Sequence, residues 1–408
     1  MNNHYGIGGS TAAEQLAALS DMCEDLQGIS HDEFRERIGR AQAIMRENNI
    51  AAVYLNAGSN LSYFTGTNWY PSERMVGAIL PASGEIEYIA PFFEIDTLQQ
   101  YMAIKGKVHG WHEHESPYHT FLTVLQTAGI EQGSIAFDES TPFFITNGIS
   151  QLTKDYQWQD AKVVTAGCRM HKSAQEIAIL QHAKDITLKV QQAAAKILYP
   201  GISVTEVEQF IDAAHRKLGA HNGSYFCIVL FGEDTAYPHG VANPKTLAEN
   251  DMVLIDTGCE LFGYHSDITR SYVFGEASAR QREVWQHEKT AQLTAFAAAK
   301  LNHPCADVDN AARQYLASVG YGPEYQLPGL PHRTGHGIGL DIHEWPYLVG
   351  NEQTPLAAGM CFSNEPMLCV PGEFGVRLED HFYMTDSGPK WFTEPSHSID
   401  NPFGYGIE

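Results

Sequence analysis

One stretch, residues 251–274 (DMVLIDTGCELFGYHSDITRSYVF), constrains the fold of this chain more than any other. An apolar run ends in Asp256, glycines follow at 258 and 263, and Asp267 stands at the head of a second apolar, β-branched run. This pattern predicts a strand, a turn and a second strand. In an antiparallel pair the two carboxylates would face each other across the ladder, within reach of one or two cations. Such a buried pair requires a metal ion, a basic side chain or a shared proton.

By themselves, the two aspartates also fit a turn residue and a strand-end cap, which are ordinary places for aspartate. The distal part of the chain favours the metal hypothesis. Residues 327–348 (LPGLPHRTGHGIGLDIHEWPYL) place three histidines within twelve residues, among glycines and prolines. An irregular, glycine-rich stretch lets imidazoles approach a common point, and neutral imidazole is a standard metal ligand. These histidines are His332, His336 and His343.

Two glutamates further along the chain stand in apolar surroundings. Glu365 lies in the middle of MCFSNEPMLCV, which is predicted to be a strand, and a carboxylate there must be paired or functional. Glu379 follows Arg377 by two residues in VRLEDHFYMT, so strand alternation predicts that both lie on one face. The guanidinium of Arg377 would then neutralise or orient Glu379, as it would also do in an ordinary ion pair.

Five of these side chains form an oxygen-rich set of candidate metal ligands. They are Asp256, Asp267, His336, Glu365 and Glu379. Their four negative charges are too many for one divalent ion and suit two bridged ions. Because the set includes no thiolate, Mn²⁺, Co²⁺ and Zn²⁺ are the candidate metals.

The chain has 408 residues, enough for two ordinary domains. Residues 1–30 are interpreted as an N-terminal leader. Within residues 31–165, candidate strands alternate with helical segments, which predicts an α/β domain with a mixed sheet. A boundary is expected next, ahead of a long helix that begins with the capping pair Ser173 and Glu176. Residues 172–408 are then predicted to contain helices and β-hairpins in comparable share, as an α+β domain.

Composition excludes several classes of partner. The net charge of −23 would repel the phosphates of nucleic acids and anionic membrane surfaces. Seven scattered cysteines without a CxxC spacing favour free thiols in a reducing cytosol over a disulfide scaffold. No apolar run approaches the roughly 18 residues that span a bilayer, and the N-terminus lacks the pattern of a signal peptide. A cytoplasmic protein that binds neither nucleic acid nor membrane is therefore expected.

The order of the candidate ligands, Asp, Asp, His, Glu, Glu, resembles that of the pita-bread metallopeptidases, the family of methionine aminopeptidase, aminopeptidase P and prolidase. The longer matches are similar to the two-domain Xaa-Pro branch, which creatinase shares, and most closely to short bacterial Xaa-Pro dipeptidases. The resemblance covers the chain from about residue 30 to its end. It implies an α+β pita-bread catalytic domain preceded by a smaller α/β creatinase-type domain. The segments that carry it are DTGCELFGYHSDITR, HRTGHGIGLDIHE, SNEP, VRLED, RMHKSAQEIAIL and FGEDTAYPHG.

The resemblance also implies a role for each matched ligand. Asp256 would bind one metal ion, whereas Asp267 and Glu379 would bridge two. His336 and Glu365 would complete the second site, with Glu365 also acting as proton acceptor. A metal-bridging hydroxide would attack the scissile carbonyl, because two cations lower the pKa of water.

Four further positions match active-site residues of the family. His239, in the AYPHG loop, matches its first active-site histidine. His332 and His343 match the pair that contacts the substrate and stabilises the oxyanion of the tetrahedral state. Arg377 matches an arginine that holds the substrate or orients the neighbouring ligand.

These matches imply a homodimeric peptidase that hydrolyses Xaa-Pro bonds, above all in dipeptides, with Mn²⁺ as the expected metal. The proline ring would need an apolar wall, because the Xaa-Pro bond has no N–H to recognise. The candidates for it are Tyr225, Phe226, Trp345 and, from a neighbouring subunit, residues 59–70. Aminopeptidase P activity on longer peptides is the main alternative.

The set of candidate ligands also bears on other reactions that proteins of the same fold catalyse. Lyase or organophosphate hydrolase activity at the same metal centre stays open, although position 258 is glycine, near which lyase relatives carry an extra acidic residue. The complete ligand set argues against metal-free creatinase chemistry. It argues equally against a non-catalytic binding module.

Overall fold

The computed structural model describes residues 5–406. It separates into two compact units, Ile29–Arg169 and the rest of the chain on either side of that range. None of the helices in residues 5–406 has the length and apolar character needed to cross a bilayer. The α-helices in this range are α1 (Ala12–Ala17), α2 (His31–Glu47), α3 (Ser59–Thr65), α4 (Ile95–Tyr101), α5 (Pro117–Thr127), α6 (Phe143–Ser150), α7 (Lys162–Arg169), α8 (Ala174–Lys196), α9 (Val204–Lys217), α10 (Ala279–Ala298) and α11 (Ala306–Ser318).

The strands fall into two groups, one in each unit. Those of the smaller unit are β1 (Ile50–Asn56), β2 (Gly77–Pro81), β3 (Glu87–Pro91), β4 (Val108–Trp111), β5 (Gly133–Phe137) and β6 (Tyr156–Asp160). Those of the larger unit are β7 (Ser224–Phe231), β8 (Met252–Leu261), β9 (Tyr264–His265), β10 (Ile268–Val273), β11 (Gly335–Gly337), β12 (Glu344–Leu348), β13 (Cys361–Asn364), β14 (Met367–Val370), β15 (Phe374–Arg377), β16 (Asp380–Thr385) and β17 (Gly388–Trp391).

The smaller unit is built on a six-stranded mixed sheet in the order β4-β3-β2-β1-β5-β6. Strand β1 pairs antiparallel with β2 and parallel with β5, as expected for the predicted α/β domain. On β1, Tyr54 packs edge-on against Phe121 and Phe137, at ring-centroid distances of 5.7 and 6.1 Å. The sequence did not predict β4 and β6, because both are short edge strands whose side chains are mostly not buried.

The larger unit holds antiparallel sheets covered by helices. Strands β7, β8 and β10 form one sheet, and β9 pairs with the end of β8. Strands β12, β11, β13, β16 and β17 form a five-stranded sheet, and β14 pairs with β15. Helices α8 and α9 contact the first sheet, whereas α10 and α11 contact strands β12 to β15. This is the α+β architecture that the sequence predicted.

Helix α8 holds the two strands that carry the aspartates. It begins at the predicted capping box. Farther along, the buried side chain of Gln191 donates from Nε2 to the carbonyl oxygens of Ile255 (2.9 Å) and Ile268 (2.8 Å). One of these carbonyls directly precedes Asp256 and the other directly follows Asp267. The helix therefore fixes β8 and β10 relative to each other at the aspartates.

The strand that carries Asp256 is longer than the sequence predicted. Strand β8 continues through Asp256 to Leu261, so the predicted strand end at Asp256 is wrong, and the turn lies at Gly263, with φ of 84°. The predicted antiparallel pairing of β8 with β10 is confirmed. Asp256 stands opposite Thr269, which places it diagonally from Asp267 on the ladder and not directly opposite.

The predicted leader is part of the larger unit as far as the structure describes it. Helix α1 contacts α9. The N–H of Gly8 donates to the carbonyl oxygen of Ala195 over 2.8 Å, and that of Met22 donates to Leu218 over 3.0 Å. Residues 5–28 are therefore tied by backbone hydrogen bonds to the unit that carries the candidate ligands.

Candidate metal centre

Asp256 and Asp267 reach the site from neighbouring strands and are buried, with 7% and 5% of their surfaces exposed. Each has one carboxylate oxygen, Oδ1, that is buried without a hydrogen-bond partner among residues 5–406. Burial raises the pKa of Asp267 well above its usual value, and the negative charges of Glu379, Asp256 and Glu365 raise it further. Carboxylates in this arrangement require a proton or positive charge between them.

His336 lies on β11 and is almost completely buried. Glycine flanks it on both sides because the backbone runs too close to neighbouring strands for a side chain. A Cβ atom at Gly335 would lie 2.1 Å from the carbonyl oxygen of Ser363. At Gly337 it would lie 2.5 Å from that of Glu344. The glycine-rich stretch is thus a packing requirement of the strand that carries the histidine.

The tautomer of His336 follows from its backbone contact. Its Nδ1 lies 3.0 Å from the carbonyl oxygen of Gly337, which can only accept, so Nδ1 carries the proton and Nε2 keeps its lone pair in the neutral ring. Nε2 lies 3.2 Å from Oε1 of Glu365 and 3.8 Å from Oδ2 of Asp267. In the neutral ring these are three acceptors facing one another. A cation between them makes the arrangement favourable.

Glu365 stands at a break between two strands, so the predicted strand through it is wrong. The break between β13 and β14 falls at Glu365 and Pro366, because proline has no N–H to donate to a ladder. The N–H of Glu365 donates instead to the carbonyl oxygen of Thr334 over 2.8 Å. Burial raises the pKa of Glu365, whereas a hydrogen bond from Nε2 of His336, available when the ring is protonated, lowers it to about 2. When the ring is neutral that proton is absent, and a cation in its place would keep the carboxylate ionised, as a metal ligand must be.

Glu379 lies in the link between β15 and β16 and is almost completely buried. Its N–H donates to the carbonyl oxygen of Thr269 over 3.1 Å, and its Oε2 accepts from the Thr269 hydroxyl over 2.9 Å. Its Oε1 is buried without a hydrogen-bond partner among the residues that the structure describes. Burial raises the pKa of Glu379 well above its usual value, as do the charges of Glu365 and Asp256. Glu379 thus has the same need for positive charge as Asp267.

The guanidinium of Arg377 pairs with Asp256, which corrects the prediction that it would orient Glu379. Nη2 lies 2.5 Å from Oδ2 of Asp256. The other donors go to the Thr269 hydroxyl (3.1 Å) and the Pro238 carbonyl oxygen (3.2 Å). The prediction assumed one continuous strand through Arg377 and Glu379. Strand β15 ends at Arg377, so the alternation of side chains ends there as well.

The three remaining predicted histidines differ in exposure. His343 and His239 are exposed, whereas His332 is partly buried. The His343 ring lies 4.1 Å from that of His336, centroid to centroid. Partial burial lowers the pKa of His343 to about 4, with contributions in the same direction from the positive charge that His336 carries when protonated, from Arg333 and from His239. Burial also lowers the pKa of His332, to which His239 again contributes. His239 therefore lies close enough to lower the pKa values of both His332 and His343.

The protonation of His332 is set by its neighbour. Its Nδ1 lies 2.8 Å from the carbonyl oxygen of Arg333, so Nδ1 carries the proton of the neutral ring. Its Nε2 is buried without a hydrogen-bond partner within residues 5–406. Because burial lowers its pKa, the ring is neutral at neutral pH and Nε2 is an acceptor.

Sequence reasoning missed one histidine of this site. His381 lies on β16, two residues beyond Glu379, and is fully buried. Its Nε2 lies 3.5 Å from Oε1 of Glu379. The signal that was available is its place two residues after a candidate ligand and directly before the apolar residues of β16.

A buried ion pair supports the segment that carries Glu379. Arg270 donates from Nη2 to Oδ1 of Asp380 (2.7 Å) and from Nη1 to the carbonyl oxygen of Glu379 (3.0 Å). Gln292 on α10 donates to Oδ2 of Asp380 and to the carbonyl oxygen of Leu378, both over 3.1 Å. The backbone on both sides of Glu379 is thereby held in place.

The candidate ligands form three overlapping groups, in each of which the donor atoms lie within 4.8 Å of one another. Asp256 belongs to none of these groups, and its Oδ2 is paired with Arg377. Carboxylate oxygens and neutral imidazoles with unpaired donor atoms fit divalent ions such as Mn²⁺, Co²⁺ or Zn²⁺. The groups are Asp267–His336–His343, Asp267–Glu379–His381 and His336–Glu365–Glu379.

Comparison with known proteins agrees with this geometry. Residues 178–386 match metallopeptidase family M24, and residues 37–171 match the creatinase/prolidase N-terminal domain. The chain is 30% identical to the Xaa-Pro dipeptidase of Pyrococcus furiosus over 366 residues, which are 90% of this chain and 99% of that one. It is similar in structure to the dipeptidase PepE of Mycobacterium ulcerans, with a TM-score of 0.82 and 29% identity over 91% of this chain and 99% of that one. It is also similar to the X-Pro aminopeptidase of Thermotoga maritima MSB8, with a TM-score of 0.76 and 25% identity over 89% and 98% of the two chains.

The chain therefore belongs to metallopeptidase family M24, in the two-domain form that carries a creatinase/prolidase N-terminal domain. It is a metallopeptidase with a pita-bread catalytic domain, and its chemistry depends on divalent metal ions. The expected family, fold and class of enzyme are confirmed.

Proposed function

We propose that the protein hydrolyses the Xaa-Pro bond of dipeptides at a centre of two divalent metal ions, with Mn²⁺ as the native metal and Co²⁺ or Zn²⁺ as alternatives. The observation that carries the proposal is the lone pair on Nε2 of His336, which faces Asp267 and Glu365 in a buried site that needs positive charge. The substrate is supported by the similarity, over 90% of this chain, to a protein named Xaa-Pro dipeptidase.

We assign the five predicted ligands to two metal ions. Asp256 would hold one ion through Oδ1, which has no hydrogen-bond partner within residues 5–406. Asp267 and Glu379 would each hold both ions, consistent with their buried oxygens that have no partner in the same range. His336 and Glu365 would complete the second site. When bound, the ions supply the charge that lowers the pKa of water and polarises the scissile carbonyl.

The remaining site residues act on the substrate and its protons. Glu365, whose Oε1 lies 3.2 Å from Nε2 of His336, accepts the proton of the attacking water. His343, exposed beside His336, donates the hydrogen bond that stabilises the oxyanion. His332 presents a lone pair at Nε2, so it accepts a hydrogen bond from a substrate N–H. His239, on the exposed loop next to these rings, provides a second contact with the substrate.

Selectivity for proline depends on shape, because the tertiary amide has no N–H to recognise. We assign the wall of the proline pocket to three aromatic side chains. Tyr225 is exposed on β7, with its ring 4.2 Å from that of buried His265. Phe226 follows it on the same strand. The ring of Trp345 is oriented by a hydrogen bond from Nε1 to Oε2 of Glu352, over 2.8 Å.

Cleavage of longer Xaa-Pro peptides is the second candidate function, and similarity to a protein named X-Pro aminopeptidase supports it. Organophosphate hydrolysis at the same centre is a further candidate activity. Lyase chemistry is not favoured by the packing around Gly258. A Cβ atom at Gly258 would lie 1.8 Å from the carbonyl oxygen of Ser266, so the strand cannot carry an acidic side chain at this position.

We further propose that the protein is a cytoplasmic homodimer. Its cysteines are free thiols, which supports a reducing compartment. We propose that the N-terminal domain spans residues 31–165. It would supply residues 59–70 to the active site of a partner subunit and so limit the length of the substrate. Tyr70 in that segment is 88% exposed, as a residue that contacts a partner would be. The metal centre belongs to the catalytic domain, placed at residues 172–408.

The test is turnover of protein that has been stripped with a chelator and reloaded with Mn²⁺. The substrates are a Xaa-Pro dipeptide, the corresponding Xaa-Pro tripeptide and the matching Xaa-Ala dipeptide. Metal-dependent cleavage of the Xaa-Pro dipeptide alone is the expected result. Cleavage of both proline peptides would favour the aminopeptidase P function. No cleavage of any substrate by protein with two bound ions would overturn the proposed substrate.

A matched control excludes contaminating peptidases. The variant Asp267→Asn, purified and reloaded in the same way, should show no turnover above background. Equal cleavage of the Xaa-Ala and Xaa-Pro dipeptides would contradict proline selectivity. Light scattering on the purified protein tests the proposed dimer independently of its activity.

A further inference from the structure

His381 is a buried imidazole whose hydrogen-bonding capacity is unused. It is fully buried on β16, and both of its ring nitrogens lack a hydrogen-bond partner among the residues that the structure describes. Leaving a buried polar group unpaired costs about 1–3 kcal/mol. A bound ligand that contacts the ring nitrogens would remove this cost and so account for the burial of the ring.

The groups that face His381 are also unpaired. Its Nε2 lies 3.5 Å from Oε1 of Glu379, which is buried and has no hydrogen-bond partner within residues 5–406. Oδ1 of Asp267 is buried and unpaired in the same way. Donor atoms of Asp267, Glu379 and His381 all lie within 4.8 Å of one another. Two carboxylates and an imidazole therefore converge on one small volume.

The distance between His381 and Glu379 fits a shared ion better than a hydrogen bond. Most N–H···O bonds measure about 2.9–3.0 Å, and the 3.5 Å between these two groups is long for one. Ligands bound at about 2.0–2.2 Å to one first-row divalent ion lie about 3.0–3.5 Å from each other. The contact of 3.2 Å between His336 and Glu365, both predicted ligands, falls in the same range.

We propose that His381 is a sixth protein ligand of the metal centre, binding through a ring nitrogen one of the two ions that Asp267 and Glu379 hold. The inference rests on the proposed dinuclear function and adds to it a residue outside the five-ligand set. A neutral imidazole adds a donor without adding charge. The four negative charges of the carboxylates therefore still match the four positive charges of two divalent ions.

The additional imidazole has a consequence for metal preference. Nitrogen ligands favour Co²⁺ and Zn²⁺ over Mn²⁺ more strongly than carboxylates do. With His336 and His381 both bound, the intrinsic affinity of the centre should favour Co²⁺ or Zn²⁺ by a wider margin than that of a centre with one imidazole, so native Mn²⁺ would depend on metal availability in the cell. Replacement of His381 should shift the preference back towards Mn²⁺.

The test counts imidazole ligands by X-ray absorption at the metal edge of Co²⁺-loaded protein, without measuring activity. Two imidazoles for each pair of ions are expected in the unmodified protein, and one in His381→Ala and in His336→Ala. The matched control is His215→Ala, which also removes a buried imidazole of the same unit but has its own partners in Thr187 and Ser224. It should leave the count at two.

A second variant keeps the test decisive if His381→Ala does not fold. His381→Gln preserves most of the volume and can donate a hydrogen bond, but an amide is a poor ligand for Co²⁺. It should lose one imidazole from the count and bind Co²⁺ at least about tenfold more weakly in chelator competition. Binding as tight as that of the unmodified protein would show that His381 only donates a hydrogen bond, which overturns the inference.

The outcomes separate this inference from the proposed function. Two bound ions with a single imidazole, unaffected by replacement of His381, would overturn the inference and leave the dinuclear peptidase intact. An unmodified protein that binds no Co²⁺, Mn²⁺ or Zn²⁺ would overturn both.

Discussion

Arg377 and Asp256 form a buried ion pair, with Nη2 of the arginine 2.5 Å from Oδ2 of the aspartate. The same guanidinium donates to the hydroxyl of Thr269 and the carbonyl oxygen of Pro238, so one side chain ties together three separate segments. The pairing leaves Oδ1 as the oxygen of Asp256 without a hydrogen-bond partner in residues 5–406. Arg377 therefore selects which oxygen Asp256 offers to a metal ion.

Replacing Arg377 tests that role. Arg377→Lys keeps the charge but cannot reach three acceptors at once, so kcat/KM should fall about 10- to 100-fold while the metal content stays the same. Arg377→Met removes the partner of a buried carboxylate and should also destabilise the protein by about 3–5 kcal/mol. Steady-state kinetics, metal analysis and urea unfolding provide the three measurements. Equal behaviour of the two variants would show that the charge of Arg377 is unimportant.

The bridging carboxylates should control metal content and activity together. Asp267→Asn or Glu379→Gln removes a charge that both ions share, so turnover and most of the bound metal should be lost in parallel. Metal analysis after dialysis and turnover of the same sample are the measurements. Full metal content with lost activity in either variant would contradict a bridging role for that residue.

His343 should affect turnover and leave the metal ions in place. His343→Ala removes the proposed oxyanion donor, so kcat should fall about 10²- to 10³-fold. Because the ring is exposed, the free energy of unfolding should change little. Metal analysis of the variant is the critical control, since His343 also lies within 4.8 Å of donor atoms of Asp267 and His336. Loss of metal would place His343 among the ligands.

The ion pair between Arg270 and Asp380 should contribute to stability as well as to position. Asp380→Asn leaves Arg270 buried and without its charged partner, which should cost about 3–5 kcal/mol in urea unfolding. The matched control is Asp400→Asn, which breaks a pair with Arg282 whose side chains are 44% and 41% exposed. That change should cost about 1 kcal/mol or less. Similar losses in the free energy of unfolding for the two variants would indicate that the buried ion pair of Asp380 contributes no more to stability than an exposed one.

His215 should make the catalytic domain sensitive to acid. Burial lowers its pKa from 6.5 to about 4 in the folded protein. As the pH falls, His215 is therefore protonated in the unfolded protein before it is protonated in the folded protein. Its contribution is fully present above about pH 6.5 and is lost as the pH falls towards 4, by up to about 3 kcal/mol. Urea unfolding of the unmodified protein and of His215→Gln between pH 7 and 4 measures it. The stability of the two proteins should converge as the pH falls, and a constant difference would refute the assignment.

Local patterns in the sequence were sufficient for much of the fold. The hairpin that joins β8 to β10 was visible in two apolar runs separated by glycines, because strand pairing across a short loop depends on neighbouring residues. The start of α8 was visible in Ser173 and Glu176, because a capping box involves only four consecutive residues. The resemblance to the pita-bread family matched the five candidate ligands, which lie in four separate segments of the chain.

The failures share a physical cause. The predictions for Glu365 and Arg377 both extended a strand across a break, one at Pro366 and one after Arg377 itself. Arg377 was matched to Glu379, its neighbour in sequence, whereas its partner Asp256 is more than a hundred residues away and comes close only when sheets pack. His381 was missed because nothing in its own segment shows that Asp267 lies nearby.

The amino-acid sequence specifies the donor atoms that the candidate ligand set offers, which are carboxylates and imidazoles and no thiolate. These are properties of residue types and short patterns. The packing of the sheets adds that Nε2 of His336 faces carboxylates, that Arg377 pairs with Asp256 and that His381 adjoins Glu379. Coulombic and desolvation energies depend on distances in space and on burial, and those quantities exist only once the sheets have packed.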